Sequence, residues 1–222
     1  MADPLAFLAV SRGYIFDVDE TLLDSHDGHY HAWDRTTRDH GFEYTEEEIV
    51  QHFGKTTQQI AIELLHLEDP AEIAAVSKEK DNNFLKEIPA LALFGGVHEV
   101  FERLSAKGIR LCLASSNHNL VLEQIIESFG LKSLVDAYVG LSDITRGKPD
   151  PEMILLSAER LGLDPGECVM VGDTPYDILA GQSAGCYTVG VATGSFSQEQ
   201  LQEYAPSLVL AHVGVLLDYL ED

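Results

Sequence analysis

Positive charge is what this sequence has least of. Fourteen lysines and arginines stand against 37 aspartates and glutamates, a formal net charge of −23. Such a surface repels nucleic acid and anionic membranes, so neither is expected as a partner. It also repels an anionic substrate at long range, so a site for one has to supply its own local positive field. Cysteine is scarce as well. Cys112, Cys168 and Cys186 are an odd, widely spaced set with no C-x-x-C pair. That argues against a zinc site or a disulfide framework and for reduced thiols in a cytoplasmic protein. No hydrophobic run reaches membrane length, and Met1 to Val10, with Asp3 and Pro4 and no basic residue, does not read as a leader. There is no internal repeat and no low-complexity tract.

What is present is a chain of 222 residues, 45% hydrophobic, enough for one large domain or a core with a smaller insert. Its most informative stretch is Tyr14-Ile15-Phe16-Asp17-Val18-Asp19-Glu20-Thr21-Leu22-Leu23. If Tyr14 to Phe16 form a buried strand, alternation sends Asp17 and Asp19 the same way just past its end. Two desolvated carboxylates side by side are costly unless a cation shares them. The pair is therefore a candidate metal and catalytic site.

After Leu23 the character changes. Asp24 to Ala92 has helical spacing and no convincing strand. Helices are expected at about Gly28–His40, Thr45–His52, Thr56–Leu65 and Pro70–Glu87, with Thr45 and Glu48 as a capping box and Asp69 capping the helix that opens at Pro70. From Gly95 strands and helices alternate. The expected helices are Val97–Lys107, Leu120–Phe129, Pro151–Leu161 (Asp150 as cap) and Pro175–Ala184, with an amphipathic helix at Val213–Leu220. The expected strands are Ile109–Ala114, Val135–Gly140, Cys168–Val171, Tyr187–Val191 and Leu208–Leu210. Alternation of this kind predicts an α/β fold, a doubly wound, mostly parallel sheet covered on both faces. Residues 1–24 and 93–222 would form that core, and residues 25–92 an α-helical insert after the first strand. Ligands bind such sheets at the carboxyl ends of the strands, so the insert would sit over the site as a lid.

Four polar constellations fall just after four expected strands: Asp17-x-Asp19-x-Thr21, Ser115-Ser116-Asn117, Gly147-Lys148-Pro149-Asp150 and Gly172-Asp173-Thr174-Pro175-Tyr176-Asp177. Each alone is readable as a turn or a helix cap. All four in succession form a chemically complete set. Asp17, Asp173 and Asp177 suit a hard, oxygen-loving cation such as Mg²⁺. Lys148 supplies positive charge and Ser115 a hydroxyl donor for a phosphoryl group. Asp19 is left to carry a proton.

At these residues the chain resembles the haloacid dehalogenase-like superfamily of hydrolases, with all four of its motifs in order, and the helical insert is similar to the C1-type cap of the phosphoglycolate phosphatase and β-phosphoglucomutase branch. The resemblance implies a Rossmann-like core and a Mg²⁺-dependent phosphatase of a small phosphorylated metabolite. Asp17 would attack phosphorus to form an aspartyl-phosphate, and Asp19 would act as acid and then base. For that, Asp19 is expected to have a pKa raised toward neutrality by burial and its carboxylate neighbours. The metal would be held by Asp17, the Asp19 backbone carbonyl, Asp173 and, through water, Asp177. Lys148 would hold Asp17 and the phosphate, with Thr21, Ser115, Ser116 and Asn117 around the phosphate.

Departures from the family pattern narrow the reading. Dehalogenase members lack the aspartate found here at Asp19. Gly172 is the phosphatase-like form where mutases carry Glu, and the cap arginine of mutases is missing from Gly54-Lys55-Thr56-Thr57. A phosphotransferase or mutase acting on a sugar phosphate is the alternative. In the insert, His29, Tyr30, Trp33 and Lys55 are the candidates for substrate contact; His29 falls where similar mutases have a hinge histidine near the acid/base aspartate. His118 is placed to approach the site, and His26, His40, His52, His66, His98 and His212 are expected in solvent. The residues leave open which metabolite is bound.

Overall fold

The computed structural model describes Phe7 and residues 10–220; most of Met1 to Val10, and with it the expectation of no leader, lies outside the described residues. The first strand, β1 (Gly13–Phe16), is buried along its whole length, as an apolar run in a parallel sheet covered on both faces should be. The chain then runs through β2 (Leu23–Asp24) and four helices, α1 (His26–Asp39), α2 (Glu46–Val50), α3 (Thr57–Leu65) and α4 (Pro70–Glu87), and returns through β3 (Ala92–Leu93). Strand and helix alternate thereafter: α5 (Val97–Ala106), β4 (Arg110–Ala114), α6 (Asn119–Ser128), β5 (Ala137–Val139), α7 (Glu152–Leu161), β6 (Cys168–Gly172), α8 (Pro175–Ala184), β7 (Tyr187–Val191), α9 (Gln198–Gln202) and β8 (Leu208–Leu210).

Six strands form one parallel sheet in the order β5-β4-β1-β6-β7-β8. The order reverses beside β1, so the carboxyl end of that central strand opens on the crevice where parallel α/β sheets bind ligands. Alternation along β1 sends Tyr14 and Phe16 into one apolar cluster and Ile15 into another on the opposite face. All three cysteines are buried and unpaired, as a reduced set would be. Among the described residues no helix is long and apolar enough to cross a membrane.

The helices between β2 and β3 have an apolar cluster of their own, built on Trp33, Ile49, Ile60, Leu64 and Val76. They begin where the sequence says they should. Thr45 and Thr56 each form a capping box, with Glu48 and Gln59, and Asp69 accepts from the amides of Ala71 and Glu72.

The structure corrects several boundaries. β2 and β3 were not anticipated: they pair antiparallel, Leu23 with Leu93 and Asp24 with Ala92, so both connections to the helical block run side by side as a narrow ribbon. Two-residue strands carry no periodicity to detect. The segment expected as an amphipathic helix at Val213–Leu220 is a 3₁₀ helix, Val213–Tyr219. Its apolar residues Val213, Leu216 and Tyr219 recur every third position, the 3₁₀ period, and at Gly214 a Cβ would come within 2.5 Å of the Gly95 carbonyl. Helix α7 takes Pro151 as its N-cap rather than Asp150, although Asp150 still accepts from the Glu152 amide. Helix α9 was missed.

Core packing gives a first test. Phe101 is fully buried and lies 4.9 Å, ring to ring, from Phe16. Phe101→Ala removes that contact from the layer beneath β1, and the expected loss is about 3–5 kcal/mol, read as a lower urea midpoint at unchanged m-value.

Candidate active site

The polar residues expected from the four motifs converge at the carboxyl ends of β1, β4 and β6. Asp17 follows β1 directly. Its Oδ1 accepts from Lys148 Nζ at 2.5 Å, and the same ammonium donates to Asp177 Oδ1 at 2.6 Å. Asp173 completes the group: ligand oxygens of Asp17, Asp173 and Asp177 all lie within 4.8 Å of one another, and all three residues are buried. Thr21 Oγ1 lies 3.3 Å from Asp17 Oδ2 and 3.1 Å from Asp173 Oδ1.

Three buried carboxylates against one lysine leave an excess of negative charge, and the titration of the group reflects it. Burial pushes Asp17 up to about 7 despite the pull of Lys148, and Asp177 and Asp19 add to the rise. Asp173 is raised well above the usual carboxylate range, first by burial and then by Asp17 and Asp177. Lys148 loses affinity for its proton to burial but regains more from Asp17 and Asp177. A divalent cation among these oxygens would relieve the repulsion, and an all-oxygen donor set suits a hard one. Asp177 has its oxygens engaged already, Oδ1 by Lys148 and Oδ2 by the backbone N–H and hydroxyl of Thr174.

Two glycines make room for the carboxylates. At Gly172 a Cβ would lie 2.3 Å from Asp177 Cγ, and at Gly194 it would lie 2.0 Å from Asp173 Oδ2. Gly194 was not singled out from sequence. Gly194→Ala is expected to displace the Asp173 carboxylate and weaken divalent-cation binding by about 10-fold or more, measured as the cation concentration giving half-maximal thermal stabilisation.

Asp19 turns away from this group, and its environment overturns the expected rise in pKa. Its Oδ1 lies 2.8 Å from His29 Nε2 and its Oδ2 accepts from the Asn117 amide at 2.7 Å. Behind the imidazole, Lys80 Nζ lies 2.9 Å from His29 Nδ1. A neutral His29 accepts from Lys80 and donates to Asp19, so the cation acts on Asp19 through the ring. Burial raises Asp19, but the charge that His29 carries at the acid pH where Asp19 titrates, its hydrogen bond, and then Lys80 outweigh it and hold the carboxyl at about 2. Burial and Lys80 keep His29 below its ordinary value, consistent with the neutral ring. Lys80 is buried against aromatic faces, 4.8 Å from the centre of Phe84 and 5.9 Å from that of Trp33, and His29 stacks on Phe84 at 3.8 Å.

The carboxylates open into a cavity of about 120 Å³ between the sheet and the helical block. Asp17, Asp19, Lys148, Asp173 and Asp177 line it, as do His29, Trp33, Lys55, Ser116 and Asn117. Thr21 and Ser115, expected around the phosphate, are fully buried and outside its wall: Thr21 braces two carboxylates, and Ser115 Oγ accepts from the Asn117 backbone N–H and sits 3.5 Å from Asp19 Oδ2. Tyr30 packs on the helical block's own core. His118 bonds Asp81 of α4 at 2.6 Å instead of entering the cavity. His26, expected in solvent, lines the cavity, and His52 is tied to Glu63 at 2.5 Å.

Lys80 was the main omission. A trace of it is present in the sequence: it shares the buried stripe of α4 with Val76, Ser77 and Phe84, and a lysine at a core position is rare unless paired. Glu20, Phe53, Gly54, Thr57, Ile60, Thr174, Tyr176, Ser195 and Phe196 complete the wall; they lie on segments brought together only by the fold.

A family model described as haloacid dehalogenase-like hydrolase matches residues 14–191. A phosphoglycolate phosphatase of Yersinia pestis is 30% identical over 212 residues, 93% of this chain and 91% of that protein. A hexitol phosphatase of Escherichia coli is 31% identical over 180 residues, covering 81% and 82%. Among solved structures, a β-phosphoglucomutase of Clostridium difficile superposes with a TM-score of 0.82 over 94% of this chain and 95% of that one, at 22% identity, a likeness of fold.

Proposed function

Because the chain belongs to the haloacid dehalogenase-like hydrolases, we propose that it is a Mg²⁺-dependent phosphatase that hydrolyses a small phosphate monoester through an aspartyl-phosphate on Asp17. The observation that carries this reading is the Lys148 ammonium bonded to Asp17 and Asp177, with Asp173 beside them, at the end of β1. A nucleophilic carboxylate needs an electropositive partner to meet an anionic phosphate, and Lys148 is placed to be it. Asp17, the Asp19 backbone carbonyl and Asp173 would hold the cation, with Asp177 acting through water. When bound, the cation would offset the charge of the trio and of the phosphoryl oxygens.

In the first step Asp17 forms a bond to phosphorus as the bond to the alcohol oxygen breaks, and Asp19 passes a proton to that oxygen. In the second, water attacks phosphorus, Asp19 takes its proton, and the bond to Asp17 breaks to release phosphate. Asp19 is ionised in the free protein, which suits the second step; for the first, the proton it passes to the leaving oxygen comes from the N–H of His29, 2.8 Å away, and the proton taken from water in the second step returns to that ring. Residues 25–92 act as a lid on the two-stranded ribbon; the contact of His29 with Asp19 and of Lys80 with His29 belongs to the closed arrangement, which excludes water, and opening would withdraw both from Asp19. Gly172 is the phosphatase-like form by resemblance, which favours hydrolysis over the mutase alternative, and a Cβ there would lie 2.3 Å from Asp177 Cγ.

The test is release of p-nitrophenol from p-nitrophenyl phosphate with and without Mg²⁺. Mg²⁺-dependent turnover, inhibited by beryllium fluoride as a mimic of the phosphorylated aspartate, is expected. Absence of any cation-dependent phosphate release from this or other monoesters would overturn the reading.

A further inference from the structure

The cavity has two unlike halves. One part of the wall is the carboxylate group with Lys148, and the rest includes the apolar side chains Trp33, Phe53 and Ile60 of the helical block and the aromatic rings of Tyr176 and Phe196 from the sheet side. Among the described residues three lysines line the cavity, and each is bonded to another group. Lys148 is spent on Asp17 and Asp177. Lys80 is buried behind His29 and bonded to its ring. Lys55, in the wall beside Gly54, is held at 2.5 Å by Glu63 Oε2, which also binds His52 at 2.5 Å. Glu63 lies on α3 outside the cavity wall, so it pairs with Lys55 without touching what the cavity holds. Glu20 adds a carboxylate to the wall itself.

A phosphate dianion entering with the divalent cation meets its charge at the carboxylate end. A second anionic group on the leaving portion of the same molecule would lie against aromatic faces, with Glu20 and Glu63 nearby and no uncommitted lysine or arginine among the described residues that line the cavity; the wall's other imidazole, His26, packs edge-on against Phe53. Burying such a charge unpaired is strongly unfavourable. An uncharged alcohol, by contrast, can lay its carbon skeleton on those rings and direct hydroxyls to Thr57, Ser195 and Ser116, all of which line the cavity. The volume of about 120 Å³ is of the order of a cavity that holds one benzene-sized group, which keeps that alcohol small.

We infer that the substrate is the phosphate monoester of a small uncharged alcohol, a polyol or a similar neutral leaving group, and not a phosphorylated carboxylic acid, a bisphosphate or pyrophosphate. Glu63 enforces this selectivity through Lys55. The inference rests on the phosphatase reading above, and the two fail in different ways.

The experiment compares kcat/KM with Mg²⁺ for matched pairs that differ only by CH₂OH against carboxylate: glycerol 3-phosphate against 3-phosphoglycerate, and sorbitol 6-phosphate against 6-phosphogluconate. p-Nitrophenyl phosphate is the reference. The neutral member of each pair is expected to be favoured at least about 10-fold, the discrimination of one unpaired group. Where turnover of both members is too slow, the same order is expected in their inhibition constants against p-nitrophenyl phosphate. Loss of all activity, the reference included, would overturn the phosphatase reading and this inference with it. Reference activity together with equal or better use of the anionic members would overturn the inference alone. Glu63→Gln is expected to free Lys55 and move the ratio at least about 5-fold toward the anionic member. Adding Lys55→Met to that variant is expected to reverse the change. An unmoved ratio in Glu63→Gln would remove Glu63 from the account of selectivity.

Discussion

Asp17→Asn is expected to lower kcat for p-nitrophenyl phosphate by on the order of 10⁴-fold or more, the scale of losing a covalent nucleophile. The substitution isolates chemistry from packing. Asparagine has the shape of aspartate and keeps an oxygen within reach of Thr21, yet its amide cannot form an acyl-phosphate under these conditions. Fold and stability are expected to survive. In the cation-free protein Asp17 is itself a source of repulsion, raised by burial to about 7, so a neutral residue there relieves Asp173 and Asp177. Lys148 keeps its bond to Asp177. A protein that melts no lower without Mg²⁺, binds Mg²⁺ more weakly and does not turn over is the predicted phenotype. Asp19→Asn is expected to cost less, on the order of 10²- to 10⁴-fold, the range for a general acid–base. Turnover by Asp17→Asn within 10-fold of the parent, with deamidation excluded by mass spectrometry, would reject Asp17 as the nucleophile.

These residues were legible in the sequence for a physical reason. A parallel strand buried on both faces is an uninterrupted apolar run, and the residue after it sits at the ligand crevice whatever its identity. Asp17, Ser115 and Asp173 could therefore be placed by reading where apolar runs stop. Helices with strong caps were equally plain: Pro70–Glu87 and Pro175–Ala184 came out to the residue because Asp69 and Thr174 cap them ahead of a proline. Contacts between distant segments were not legible. Lys80 and His29 are 51 positions apart, and nothing local to either says that they meet or that their charge reaches Asp19. The expectation for Asp19 failed on this point, since it counted the carboxylates adjacent in sequence and missed the cation folded over from α4. Lys55 was legible as a cation at a loop-to-helix start. Its neutralisation by Glu63 was not, because that pairing depends on how the chain turns between α2 and α3.

The cation-free protein is expected to lose stability as pH rises from 5 to 8, and saturating Mg²⁺ is expected to abolish most of that loss. The sign follows from the direction of the shifts. Asp17 is raised from 3.8 to about 7 in the folded state and Asp173 is raised well above 3.8. A carboxyl that binds its proton more tightly when folded contributes stability in full below pH 4, and that contribution disappears as pH climbs through its folded value. For Asp17 alone the interval corresponds to on the order of 4 kcal/mol at most. Asp19 runs the other way, but with a folded value of about 2 its contribution is complete above pH 4 and drops out of this window. Self-repulsion from the formal net charge of −23 would also weaken the fold with rising pH, and salt distinguishes the two. Surface repulsion is screened by 0.5 M NaCl, whereas the buried trio is reached only by an ion that enters it. Urea titrations at pH 5 and pH 8, with EDTA or Mg²⁺, provide the measurement. Asp173→Asn is expected to flatten the slope found in EDTA. Lys148→Ala is expected to steepen it, by about 3 kcal/mol or more at pH 8, since the lysine bonded to both Asp17 and Asp177 is gone. A slope that NaCl removes as well as Mg²⁺ does would place the effect on the surface and end the case for a cation held by Asp17 and Asp173.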